Sequence, residues 1–344
     1  MPPQTHQGRT ATTGTRPHQV KQSKKKTMRN DEDDDQGGGG ITCGAVTVEL
    51  DLQDLPEGCI ANVISLTTPP DACRLSSVSR SFRSAAESDA VWSKFLPPDI
   101  PTNLSHSGPD APNCRSKSKE LYLALCHDPV LIDEGKMSFS LDKWSGKKCY
   151  MVAARALEIV WADTPNYWKW ISMPDSSNNR FEEVAELVGV CWLDIRGKID
   201  IRLLSPSTMY KAYVVFKSTA AAYGFEYQPA EVSVGLVGGA EPTKQTVFLD
   251  ADRGRTQSYQ IVPRRVGISN RSRILPRVSQ PREINDNQYP KDRADGWLEI
   301  ELGEFFCEGG EDGELEMTCL ETKGGQWKGG LIVQGIEVRP QRKS

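Results

Sequence analysis

The chain has 344 residues, with 42 Lys and Arg against 46 Asp and Glu and a formal net charge of −4. That length holds two ordinary domains plus tails, and the slightly acidic balance excludes nucleic-acid binding through bulk electrostatics. The polar start, Met1-Pro2-Pro3-Gln4-Thr5-His6, lacks the apolar centre of a signal peptide, and no stretch approaches the roughly 20 apolar residues of a membrane span.

Residues 1–48 are polar and rich in Gly, Thr and Gln, the composition of a disordered tail. Within them Lys21, Lys24, Lys25, Lys26 and Arg29 precede an acidic run from Asp31 to Asp35. This patch reads either as a nuclear-import signal or as a solvated polyampholyte. Residues 49–97 have a different pattern. After Leu55-Pro56, Ile60, Val63 and Ile64 recur at the spacing of one helical face. Pro69-Pro70 breaks that helix, and Asp71 is placed to cap a second one carrying Ala72, Leu75, Val78 and Phe82. Ser88 or Asp89 can cap a third, with Val91, Trp92 and Phe95. About forty residues is close to the lower limit for an independent core, so such a module is expected to leave apolar surface for a partner.

This order of Leu-Pro, Ile, a double proline with Asp, Leu, Val, Phe and Trp resembles an F-box. The resemblance implies docking onto a Skp-family adaptor and, through it, a cullin of a ubiquitin ligase. It assigns adaptor binding to Leu55, Pro56, Ile60, Ile64 and Trp92.

Residues 98–147 form a proline-rich linker in which one helix is expected over Lys119–Cys126. From Lys148 to Pro340 the alternation becomes period two, with about eight strands separated by turns such as Gly309-Gly310 and Gly324-Gly325. The fold class expected is therefore α+β and multidomain: a three-helix module, then an antiparallel β-sandwich with jelly-roll connections. Between 253 and 293 the alternation lapses and nine arginines occur, the mark of a disordered insertion or of an arm for an acidic partner.

Nine cysteines, an odd number without paired spacing, point to reduced thiols in the nucleus or cytosol. The four histidines are His6, His18, His106 and His127, so the larger domain has none for a catalytic triad or a metal site. No cofactor or metal is expected. The remaining candidate chemistry is aromatic. Trp161, Tyr167, Trp168 and Trp170 straddle the polar turn Ala162-Asp163-Thr164-Pro165-Asn166, an arrangement suited to sugar rings and equally to a core.

The runs Trp161-Ala162-Asp163-Thr164-Pro165-Asn166-Tyr167-Trp168, Cys191-Trp192-Leu193-Asp194-Ile195, Asp295-Gly296-Trp297-Leu298 and Lys328-Gly329-Gly330-Leu331 through Arg339-Pro340 look like a phloem-protein-2-type plant lectin. The resemblance covers about residues 148–340. With the F-box ahead of it, the chain is similar to the plant F-box/phloem-lectin subfamily. What the resemblance implies is a non-catalytic substrate-recognition subunit of an SCF-type ligase in the nucleus and cytoplasm. Its lectin-like domain would select target proteins, glycosylated ones included, and could bind N-acetylglucosamine-containing glycans. The implied sugar residues are Trp161, Trp168, Glu314 and Glu321. Two rival readings are a lectin working without a ligase and a glycan hydrolase using Glu299 and Glu301. Against the second, two carboxyls at i and i+2 lie on one strand face, side by side instead of flanking a scissile bond.

Overall fold

The apolar pattern after Leu55 folds as four short helices where three are expected: α1 (Glu57–Ser65), α2 (Pro69–Leu75), α3 (Arg80–Ala86) and α4 (Asp89–Phe95). The computed structural model describes residues 55–100, 117–173, 180–226, 228–251 and 288–342. The polar tail and nearly all of the arginine-rich insertion lie outside the described residues.

Serine chemistry splits the expected second helix. Ser76 and Ser77 turn their hydroxyls back onto the carbonyls of Cys73 and Arg74, at 2.7 and 2.6 Å. Ser79 then accepts the Phe82 N–H at 3.2 Å and starts α3. Side chains that bond the local backbone in this way favour caps over helix interiors. The N-cap of α2 is Thr68 and not Asp71: Thr68 accepts the Asp71 N–H at 3.3 Å and donates to its carboxylate at 2.7 Å. Pro69-Pro70 opens this helix, where missing N–H groups cost nothing.

Trp92 is the keystone of the helical module. It is buried, and its Nε1 donates to the Ala86 carbonyl at 2.7 Å. Its ring lies 5.6 Å from Phe95 and 5.3 Å from Tyr122, which is carried by α5 (Lys117–His127). The Tyr122 hydroxyl reaches the carbonyls of Asp142 and Lys143, at 3.3 and 3.1 Å. Beside it, buried Lys148 pairs with Asp99 at 2.7 Å. Helical module and β domain therefore meet through α5, and their buried side chains form one continuous core.

The sheet begins before the alternation at Lys148, with β1 (Val130–Ile132) and β2 (Met137–Leu141) paired in front of β3 (Lys148–Ala153). The remaining strands are β4 (Glu158–Ile159), β5 (Trp168–Ser172), β6 (Glu183–Leu187), β7 (Leu193–Asp200), β8 (Thr208–Tyr223), β9 (Ala230–Leu236), β10 (Gln245–Val247), β11 (Lys291–Asp292), β12 (Leu298–Cys307), β13 (Glu314–Glu321) and β14 (Gly329–Pro340). One sheet runs β1-β2-β3-β14-β8-β12-β11, with β6 also paired to β14 and β5 to β6; the other runs β10-β9-β13-β7-β4. All these pairs are antiparallel. The chain alternates between sheets from β6 to β9 and again from β12 to β14, as in a jelly-roll sandwich. Ile195, Ile199, Val232 and Met317 of the smaller sheet share a core with Val214, Phe216, Ile336 and Val338 of the larger. The expected helical module followed by an antiparallel sandwich is the architecture observed.

Candidate functional site

Two surfaces carry the features that could recognise partners. The first is the outer face of α1. Ile60, Ile64 and Trp92 are 2%, 0% and 1% exposed, so these three proposed docking residues are sealed in the module's own core. Leu55 is half-buried and Pro56 exposed. The apolar surface open to a partner is instead Pro56, Cys59, Val63 and Leu66, with Val78 nearby in chain order at the α2–α3 break. Val63 is 53%, Leu66 83% and Val78 60% exposed. Cys59 and Val63 are four apart on one stripe of α1, with Pro56 at its N-cap and Leu66 at its C-cap. Val63, placed by its spacing on one face with Ile60 and Ile64, instead points out to solvent, so α1 carries apolar residues on two faces and has two surfaces to cover.

The second surface is aromatic. After Ile159 the chain turns, with Ala162 N–H bonded to the Ile159 carbonyl and Thr164 N–H to that of Trp161, at 3.2 and 2.9 Å. Trp161 itself takes a left-handed φ of 64° and remains 41% exposed, so it lies in this turn and not on a strand. Trp168 starts β5, is 2% exposed, and its indole N–H has no acceptor among the described residues. It belongs to the core, not to a sugar platform.

The two glutamates are likewise not brought together. Glu314 is exposed at the start of β13, and Glu321 is 4% exposed at its end. Seven residues of strand separate them by about 23 Å, and an odd step puts them on opposite faces. No single sugar can touch both. Glu321 forms an ion pair with buried Lys328.

Trp161 packs instead on Tyr167, with ring centroids 5.3 Å apart, and Tyr167 packs on Trp327 at 6.4 Å. Trp327 is 56% and Tyr223 44% exposed. Over buried Gly189, a Cβ would fall 2.9 Å from the Tyr223 hydroxyl and 3.8 Å from the Trp327 ring, so both side chains cover that residue. Periodicity misses Trp327 because it lies outside any strand, in the polar turn Lys323-Gly324-Gly325-Gln326. A large aromatic in such a turn has no core to enter, and that is the signal that could have found it.

Glu299 and Glu301 are already engaged. Arg339 grips Glu299 through two nitrogens at 2.5 and 2.8 Å, Arg293 adds a bond at 2.7 Å, and Lys211 holds Glu301 at 2.8 Å. Buried Glu337 pairs with Arg180, Arg293 and Arg339. Burial opposes its ionisation, yet the three guanidiniums outweigh that and hold its carboxyl at about 2. Carboxylates tied up in this way are poorly placed for general acid–base work.

A family model described as phloem protein 2 matches residues 147–340, and one described as the F-box domain matches residues 52–94. The chain belongs to the phloem protein 2 family. Among its relatives in Arabidopsis thaliana, F-box protein At2g02240 is 46% identical over 84% of this chain and 80% of its own length. F-box protein PP2-B1 is 43% identical over 87% of this chain and 93% of its own length. Putative F-box protein PP2-B12 is 45% identical over 85% and 99%. Among solved structures, TmCBM61 in complex with β-1,4-galactotriose overlays 54% of this chain and 87% of its own at 9% identity; a TM-score of 0.25 carries no weight for fold or ligand. The helical module is thus an F-box. With its phloem protein 2 domain, the chain has the general make-up of a substrate adaptor of SCF-type ligases, in which F-boxes bind Skp-family adaptors.

Proposed function

We propose that this chain is a non-catalytic substrate-recognition subunit that acts in the nucleus and cytoplasm. Its F-box docks on a Skp-family adaptor and through it on a cullin. Its β domain selects the protein to be ubiquitylated, reading N-acetylglucosamine-containing glycans on that target at the aromatic face. The contribution to reaction is proximity: a held target meets the ligase at high effective concentration. The seven cysteines of the described residues are all free thiols, in keeping with a reducing compartment.

The observation that carries the reading is the outward stripe Pro56, Cys59, Val63 and Leu66 on a helix whose other face is already sealed. Burying Val63 and Leu66 against an adaptor contributes roughly 1.5–3 kcal/mol each, before association costs. The test is titration calorimetry with purified adaptor. Val63→Glu with Leu66→Glu is expected to weaken binding on the order of 100-fold or more. The thermal melt should hardly change, because both side chains already face water. Unchanged adaptor affinity in the double variant would overturn the docking assignment. Glycan binding by a wild type that ignores the adaptor would favour a lectin independent of any ligase.

A further inference from the structure

Where the helical module meets the β domain, the surface opens into two adjoining clefts of about 820 and 510 Å³. Thr68, Ser145 and Lys147 line both. Trp144, Met209 and Pro340 give the larger cleft apolar walls, from the β2–β3 turn, the start of β8 and the end of β14. Phe95 and Leu96 of the helical module do the same for the smaller.

Trp144 is 50% exposed, and the turn that carries it is fixed by its own hydrogen bonds. The Asp142 carboxylate accepts the N–H groups of Trp144 and Ser145 at 3.2 and 2.9 Å and the Ser145 hydroxyl at 2.7 Å. The Asp142 carbonyl accepts the Gly146 N–H at 2.8 Å, and the Tyr122 hydroxyl ties the same carbonyl to α5. Trp144 is therefore a large aromatic on a braced turn, with no core to enter. A side chain presented in this way loses little freedom when a partner covers it.

Position and charge name the partner. The chain runs from Leu66, the exposed end of the α1 stripe, through Thr67 and Thr68 directly into the cleft walls. The clefts thus continue the surface that α1 offers to an adaptor. The larger cleft lies at the Pro340 end of β14, whereas Trp327 and the aromatic face lie beyond its other end at Gly329. That strand puts roughly 35 Å between them, so a target read at the aromatic face is held far from the cleft. Lys148 pairs with Asp99 at 2.7 Å and Arg342 with Asp142 at 3.6 Å. Lys94 and Lys147, which line the smaller cleft, have no carboxylate at ion-pair distance among the described residues. A rim with two uncompensated ammonium groups suits an acidic segment.

We propose that the Skp-family adaptor grips the chain twice, on the outer stripe of α1 and in this seam. There an acidic adaptor segment lays an apolar side chain against Trp144. The second contact rests on the adaptor reading of α1.

The test is titration calorimetry of the full chain with purified adaptor. Trp144→Ala is expected to weaken binding about tenfold, the weight of one aromatic anchor, and Trp144→Phe should restore most of it. Thermal melts should stay unchanged, because the side chain already faces water. Lys94→Glu with Lys147→Glu should weaken binding about three- to tenfold at low salt, and the difference should shrink as salt is raised. Wild-type affinity in Trp144→Ala and in the lysine variant, beside lost binding in Val63→Glu with Leu66→Glu, would overturn the second contact and leave the α1 stripe standing. Light scattering that finds dimers of the chain alone, lost in Trp144→Ala while adaptor affinity is kept, would overturn it in favour of a second copy. No adaptor binding by the wild type would overturn both contacts.

Discussion

Glu337 shows how much a single residue can hold when burial and charge oppose each other. Its carboxylate is sealed on the larger sheet and met by Arg180 at 2.8 Å, Arg293 at 2.7 Å and Arg339 at 2.9 Å. Two of these residues stand just after segments outside the described set, so the cluster pins Arg180 and Arg293 to β14. A carboxyl ordinarily near 4.5 that titrates at about 2 in the fold favours the folded state whenever it is ionised. The sign follows from proton uptake: the unfolded chain protonates first, so stability is full above about 4.5 and drains away as pH falls toward 2. A shift from 4.5 to about 2 corresponds to a contribution on the order of 3 kcal/mol at neutral pH. Urea melts at pH 6 and pH 3 should show a loss in the wild type that is smaller by about 2 kcal/mol in Glu337→Gln, because a carboxyl titrating at about 2 keeps part of its contribution at pH 3. The variant should already be less stable at pH 6, because three partly buried guanidiniums lose their shared partner. An equal pH dependence in both proteins would mean that other carboxylates carry the acid response.

At the scale of elements, the junction between α4 and the β2–β3 turn depends on Gly146. Its φ is +68°, and a Cβ there would fall 2.9 Å from the Phe95 carbonyl and 3.4 Å from the Tyr122 ring. Gly310 has a similar φ of +83° with open space around it. Gly310→Ala should therefore cost only the left-handed backbone penalty of roughly 1–2 kcal/mol. Gly146→Ala adds a clash with backbone, worth roughly 1–3 kcal/mol more. Chemical denaturation of the two variants checks this, and equal losses would mean the α4 junction is slack. The elements themselves were legible to different degrees. Helix existence, strand alternation and the two-part order follow from caps, prolines and period-two runs. The break at Ser76–Ser79 did not, because three serines around the apolar Val78 are compatible with a continuous helix until the hydroxyl bonds are seen. The aromatic site was legible at Trp161 and Tyr167 but not at Trp327. Trp168 and Glu321 have the right type, but their direction is set by pairing, Trp168 opposite Leu187 and Glu321 opposite Leu193. Periodicity does not encode that direction. The same limit hid that Ile60 and Ile64 point into the core while Val63 points out.

Across the described residues, the F-box helices and the sandwich share one core, and this bears on the proposed function. About forty residues of short helices bury too little apolar surface to be stable alone. The missing stability comes from α5, where Tyr122 is 1% exposed, packs at a steep tilt against Trp92 and Phe95, and bonds the carbonyls of the β2–β3 turn. The outer stripe of α1 and the aromatic face are thus carried on one continuous core, so under the proposed function a target would be held at a set distance from the ligase instead of on a loose tether. Wild-type α1–α4 and the central strands β8 and β14 should then show the same opening free energy in hydrogen exchange, the signature of one cooperative unit. Tyr122→Ala removes the shared side chain at a cost of roughly 3–5 kcal/mol. Because the sandwich keeps its own two-sheet core, the loss should fall on the helices: α1–α4 exchange early while β8 and β14 stay protected. Adaptor affinity should drop with them, and oligosaccharide binding should not. Helices that keep full protection in Tyr122→Ala would mean that the F-box stands on its own core, and the fixed spacing between adaptor and target would have to come from elsewhere.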